Sequence, residues 1–143
     1  METGKELVKA MEVQKVQYGA LRRAMQRQTT HIEALDVAGL TTDTAEIRGL
    51  MRKVRDVEAS LRPLRQSWST MGLDRDPEEK REVDAMIEYV RGTIEVIQGI
   101  KDQNAKMLQE RMSDIRAQMA ELQTQGKAVQ AYYGSNEGAR ASA

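Results

Sequence analysis

The sequence predicts an all-α fold, an elongated antiparallel three-helix bundle or coiled coil with a long C-terminal helix projecting beyond it. Three observations carry that prediction. Of the 143 residues 31% are charged and 3% aromatic, with no Phe and two Pro, while Ala, Glu, Gln, Lys, Arg, Leu and Met, the residues that lose least freedom in a helix, dominate. Apolar residues recur at alternating steps of three and four along three stretches. Helix start and stop signals fall between those stretches. Residues 1–133 read as a single helical domain, with helices over about 3–36, 44–70 and 77–131 and a flexible tail over 134–143.

The first helix is drawn by the seam Leu7, Met11, Gln14, Tyr18, Leu21, Met25, Gln28, Ile32 and Leu35, the spacing that keeps one face turned towards a partner helix. Its two glutamines have two readings: buried polar layers that weaken the seam but fix its register, or positions left half-exposed. A loop is expected over Val37 to Asp43, around Gly39, with Asp43 and Glu46 forming a capping-box-like start for the second helix.

That second helix carries Ile47, Leu50, Val54, Val57, Leu61, Leu64 and Trp68, with Met51 alongside. Pro63 predicts a kink near Ala59 to Leu64. The seam resumes beyond it, so the helix is expected to end only at Ser69 to Gly72, with Trp68 plugging the bundle near the turn.

The third helix has the strongest start signal. Asp76 caps, Pro77 suits the first helical position, and Glu78 and Glu79 complement the positive end of the helix dipole. Its seam runs through Val83, Ile87, Val90, Ile94 and Ile97, meets Lys101 and Asn104 where apolar layers would continue, and resumes as Leu108, Met112, Ile115, Met119, Leu122 and Val129, extending to Tyr133. Unbroken from Pro77 to Ala131, this helix is on the order of 80 Å long at ~1.5 Å per residue. The first two helices are roughly half that length and cover only its first half. From Met107 onward an apolar stripe is left with no intramolecular partner, which points to a surface covered by another protein or by a second copy.

Composition excludes several classes of function. Lys plus Arg and Asp plus Glu each number 22, so the formal net charge is zero, and the basic surplus through which phosphate contacts supply nucleic-acid affinity is absent. No apolar run approaches the roughly 20 residues that span a bilayer, and no signal-peptide core follows the N-terminus. Without cysteine there is no disulfide framework or thiolate chemistry. A cytoplasmic protein without membrane insertion is expected. His31, the only histidine, has Gln28 where a helical di-metal site would place a carboxylate. No phosphate-binding loop, dinucleotide fingerprint or nucleophile elbow occurs. The sequence therefore predicts no enzyme, no metal and no cofactor.

Other features have paired readings. Met107, Met112 and Met119 suit either an adaptable binding surface or the core of a dimeric coiled coil. Ala85, Gly92 and Gly99, seven apart, read as the strip against which the first helix packs closely. Tyr132 and Tyr133 either cap the apolar stripe or stand as an exposed anchor, since Tyr buries large area at low entropic cost.

The heptad opening from Leu7 to Leu35, the continuation Ala45-Glu46-Ile47-Arg48-Gly49-Leu50-Met51-Arg52-Lys53, and Ile100-Lys101-Asp102-Gln103-Asn104-Ala105-Lys106-Met107-Leu108 leading to Ala131-Tyr132-Tyr133-Gly134 resemble the flagellar export chaperones of the FlgN type, with the filament-cap chaperone FliT as a relative in style. The resemblance covers nearly the full chain, mostly as a pattern of helices and lengths. It implies a chaperone that binds the helical C-terminal region of hook-associated proteins and delivers them to the flagellar type III export gate. The family's substrate-binding helix falls here on Met107, Leu108, Met112, Ile115, Met119, Leu122 and Val129, and a gate-docking tyrosine on Tyr132 or Tyr133. A monomer or weak dimer is expected when free. The competing expectation is a structural or adaptor coiled coil, constitutively dimeric through its C-terminal helix.

Overall fold

A computed structural model describes the backbone of residues 2–142 and the side chains of residues 3–133. It contains α1 (Glu2–Ala34), α2 (Val37–Met71), a 3-10 turn (Gly72–Asp74) and α3 (Pro77–Ser142). The chain forms two compact units, residues 1–105 and 106–143. The first is a three-helix bundle. Leu7 and Met11 of α1 pack with Leu61 and Trp68 of α2 and Val83 and Val90 of α3, while Leu21 and Met25 pack with Val54 and Ile97. Ascending residue numbers thus run together in α1 and α3 and oppositely in α2, as short connections between neighbouring helices require.

The seams of α1 and α2 fall where periodicity puts them, except that Leu35, the last residue of the expected α1 seam, lies just past the helix end and is exposed; α2 also begins earlier than its capping-box signal suggests. The expected loop over Val37 to Asp43 is helical. The whole connection is Leu35, at φ 53, and Asp36, whose side chain accepts from the Gly39 N–H at 2.9 Å. Asp36, and not Asp43, is therefore the N-cap. Asp43 is buried and meets His31 Nδ1 at 2.5 Å, which ties the second turn of α2 back to the end of α1. Gly39 is needed here because a Cβ would stand 2.7 Å from the His31 ring and 2.8 Å from the Asp36 carboxylate. Thr41, Thr42 and Thr44 turn their hydroxyls back onto carbonyls four residues earlier, the bond open to a threonine inside a helix.

Pro63 lies inside α2, which continues to Met71. Gly72 at φ 54 ends it, a conformation that costs glycine least. Asp76 Oδ2 then accepts from the Glu79 N–H at 3.1 Å and caps α3 as its start signal predicts. Trp68 closes this end of the bundle. Arg75 lies 5.3 Å from its ring centroid and donates to its carbonyl at 2.9 Å. Gly4 packs so tightly against it that a Cβ would sit 2.7 Å from the indole.

Of the two readings of the seam glutamines, burial holds for Gln14, while Gln28 is left half-exposed. Gln14 is 1% exposed and donates to Glu58 Oε2 at 2.9 Å, a carboxylate also held by Arg65. Burial, with the nearby Glu58 charge, pushes the Tyr18 phenol above its ordinary 10 against the opposing pull of Arg65. Gln28 belongs to a second polar layer around Asn104, which is 3% exposed. The Asn104 amide donates to the Met25 carbonyl and to Gln28 Oε1, both at 3.0 Å, and its oxygen accepts from the Thr29 hydroxyl at 2.6 Å. Lys101, the other polar residue on the expected seam, is exposed instead, and Ile100 packs against the Leu21–Ile97 cluster.

The strip Ala85–Gly92–Gly99 does not receive α1. All three residues are exposed, and a Cβ at Gly92 or Gly99 would meet nothing within 4 Å. The reason is angular: α1 packs on Val83, Val90 and Ile97, and residues two positions further along a helix point about 200° round from them.

The Asn104 layer generates a stability prediction. Asn104→Ala leaves the Met25 carbonyl, Gln28 and Thr29 short of partners, so urea unfolding should show a loss of about 1–3 kcal/mol. A smaller loss would show that water replaces the amide.

Candidate functional site: an exposed apolar stripe in the last helix

The second unit, from Lys106 onward, is built on the C-terminal part of α3. The helix assignment continues to Ser142, through the segment 134–143 that reads from sequence as a tail; Ala143 lies outside the described residues. Good helix formers explain its conformation: Ala, Gln, Glu, Met, Leu, Arg and Lys make up most of residues 106–133.

Met107 and Leu108 are half-buried. The remaining residues of the expected binding stripe are open to solvent: Met112, Ile115, Met119 at 59%, Leu122 at 65%, Val129, and the two tyrosines. From Met112 the steps are three, four, three, then four to Gly126, three to Val129 and four to Tyr133. That is the spacing of a coiled-coil seam. Met112, Met119, Gly126 and Tyr133 occupy a positions, and Ile115, Leu122 and Val129 occupy d positions.

One member of this stripe is not among the apolar residues of the sequence pattern. Gly126 stands in an a position, and a Cβ there would meet nothing within 4 Å. The signal was its spacing, four residues after Leu122 and three before Val129, which a search for apolar residues alone passes over. The tyrosines also separate. At about 100° per residue Tyr133 falls on the stripe, whereas Tyr132 points about 100° away from it. Their rings meet edge to face, 5.5 Å between centroids.

The stripe has no acid-base or metal chemistry to offer. Its polar neighbours are amides and single charged side chains, and among the described residues no group of three or more His, Cys, Asp or Glu is placed to hold a metal ion. No helix among them is long and apolar enough to cross a membrane. His31 is occupied by Asp43 and lies 3.9 Å from Asp36, a local clamp on the start of α2. The bundle carries an open groove between α1 and α3, lined by Val8, Lys15, Met86 and Tyr89 among others, with the Lys15 ammonium 4.4 Å from the Tyr89 ring centroid. What the stripe can do is bury its apolar side chains against another amphipathic helix.

The chain matches the protein family described as FlgN protein over residues 1–141. No curated protein and no solved structure matches it.

Gly126 offers a direct check on the stripe's openness. With nothing for a new methyl to strike, Gly126→Ala should raise helicity by circular dichroism and stabilise this part of α3 by up to about 1 kcal/mol. A loss of helicity would mean that another group fills the space beside Gly126.

Proposed function

The chain belongs to the FlgN family of flagellar export chaperones, and from that premise we propose that Met107, Leu108, Met112, Ile115, Met119, Leu122 and Val129 bind the C-terminal helical region of a hook-associated protein. The observation that carries this reading is the run of exposed apolar side chains at coiled-coil spacing from Met112 to Tyr133. In the cytoplasm the chaperone keeps its cargo's helix from aggregating or assembling, then delivers it to the type III export gate.

The binding mode is helix against helix. Each large apolar side chain fully removed from water contributes about 1.5–3 kcal/mol. Six or so supply roughly 10 kcal/mol gross, after allowing for the fraction of each already buried. Part of that is consumed in ordering the cargo helix and in lost translational freedom.

Calorimetric titration with the C-terminal helical region of a hook-associated protein from the same organism tests the reading. Saturable one-to-one binding is expected. Met119→Asp combined with Leu122→Asp should weaken it by about 100-fold or more, because two carboxylates would be buried without partners, while the bundle's unfolding midpoint stays unchanged. Undiminished binding by the double variant would overturn the assignment. So would a stable dimer by light scattering with no cargo affinity, which favours the constitutive coiled coil.

The two tyrosines divide the work in this reading. Tyr133 extends the cargo stripe, and Tyr132, turned off it, is the residue available to the gate. Tyr133→Ala should lower cargo affinity several-fold. Tyr132→Ala should leave cargo affinity within about twofold and reduce capture of the cargo-loaded chaperone by the purified cytoplasmic part of the gate. The reverse pattern would exchange the roles.

A further inference from the structure

The positions beside the stripe carry information about its occupant. In the register set by Met112 at a, the flanking e positions are Arg116, Gln123 and Gln130, and the flanking g positions are Arg111, Gln118, Gln125 and Tyr132. These are the positions through which coiled-coil helices choose partners and orientation. Not one is acidic. The acids of this segment, Glu110, Asp114 and Glu121, all occupy c or f positions on the side away from the stripe. Arg116 is exposed.

A second copy fits this arrangement badly. Pairing two copies parallel and in register sets the g residue of one helix against the e residue five positions on in the other. Arg111 would then face Arg116, like against like, followed by two layers of glutamine facing glutamine. Antiparallel pairing, which sets g against g and e against e, offers no acid either. Neither geometry yields one salt bridge. A helix of another protein with acids at its own e and g positions supplies what is missing, and those acids would keep its own copies apart.

We infer that the occupant of the stripe is an amphipathic helix of another protein whose apolar seam is flanked by acidic residues, selected by Arg116 at the N-terminal end of the stripe. This deepens the cargo assignment of Met112 to Val129 and rests on it. The stripe supplies affinity, and the flank supplies choice of partner and rejection of self. Glutamine over the remaining flank tolerates variation, since an amide accepts and donates alike.

The test uses the full chain and two synthetic helices of about four heptads, identical in their Leu seam, one with Glu and the other with Lys at every e and g position. Each peptide repels its own copies and is therefore free to bind. The Glu peptide should bind about fivefold or more tightly than the Lys peptide at low salt, with the ratio shrinking towards one near 1 M salt, where the screening length falls to about 3 Å. Arg116→Glu should lower affinity for the Glu peptide and raise it for the Lys peptide, which mere loss of folding cannot do.

Two results overturn the inference in different ways. If both peptides bind alike, and both are lost with Met119→Asp plus Leu122→Asp, the stripe binds helices but the flank does not choose among them. If the double variant binds as well as the parent chain, or light scattering shows a dimer whose formation the double variant abolishes, the cargo assignment itself falls.

Discussion

The buried amide of Asn104 fixes how α3 lies against α1, and the other contacts of the bundle depend on that register. Its three hydrogen bonds reach a main-chain carbonyl, an amide and a hydroxyl spread over Met25 to Thr29. Sliding α3 by one turn would take all three bonds from the buried Asn104 amide, and an unpaired buried amide costs about 1–3 kcal/mol. Aliphatic layers alone are indifferent to such a slip, because one Ile or Val replaces another. Gln14 with Glu58 does the same between α1 and α2, nearer the other end. A bundle of thin helices with few aromatics thus takes its specificity from two polar layers and one indole, Trp68, at the α2–α3 turn.

With register fixed, helix length decides what remains available for binding. Helices α1 and α2 have 33 and 35 residues and α3 has 66. The polar layer at Asn104 follows the apolar layer of Leu21, Met25 and Ile97, and in α1 one further apolar residue, Ile32, is buried beyond it. Beyond it α3 keeps coiled-coil spacing, but from Met112 its seam side chains are exposed. The same periodicity therefore has two outcomes in one helix: buried apolar residues before Asn104, and exposed ones from Met112.

Much of this was legible in the sequence, for identifiable reasons. The α1 and α2 seams and the Asp76–Pro77 start follow from local rules that tertiary structure did not override. The stripe was legible because counting residues against helix lengths already leaves it over. The start of α2 was not legible. Val37 to Thr42 contains a glycine, two threonines and no apolar period, and it is held by an Asp36 cap and a His31–Asp43 bond between different helices. The exposed strip at Gly92 and Gly99 misled because spacing of seven says that residues share a face without saying which face. The burial of Gln14 was undecided for the same kind of reason: only the position of Glu58 opposite settles whether a seam glutamine has a partner.

The chemistry of the stripe also suits the proposed role, in which cargo is bound and then released. Its side chains are mainly Met, Ile, Leu and Val, broken by Gly126, and its one aromatic residue, Tyr133, stands at its end, so no Trp, Tyr or Arg anchor of the kind that dominates tight interfaces lies at its centre. Methionine packs against varied shapes without demanding one geometry, so binding energy is spread over the length of the helix. A surface of this kind can be peeled away from one end, each layer contributing a small part of the total. A compact hot spot would instead have to release all at once. In the proposed role of delivering cargo to a gate the distributed arrangement is favoured, because unwinding the cargo helix from one end then removes the contacts in sequence.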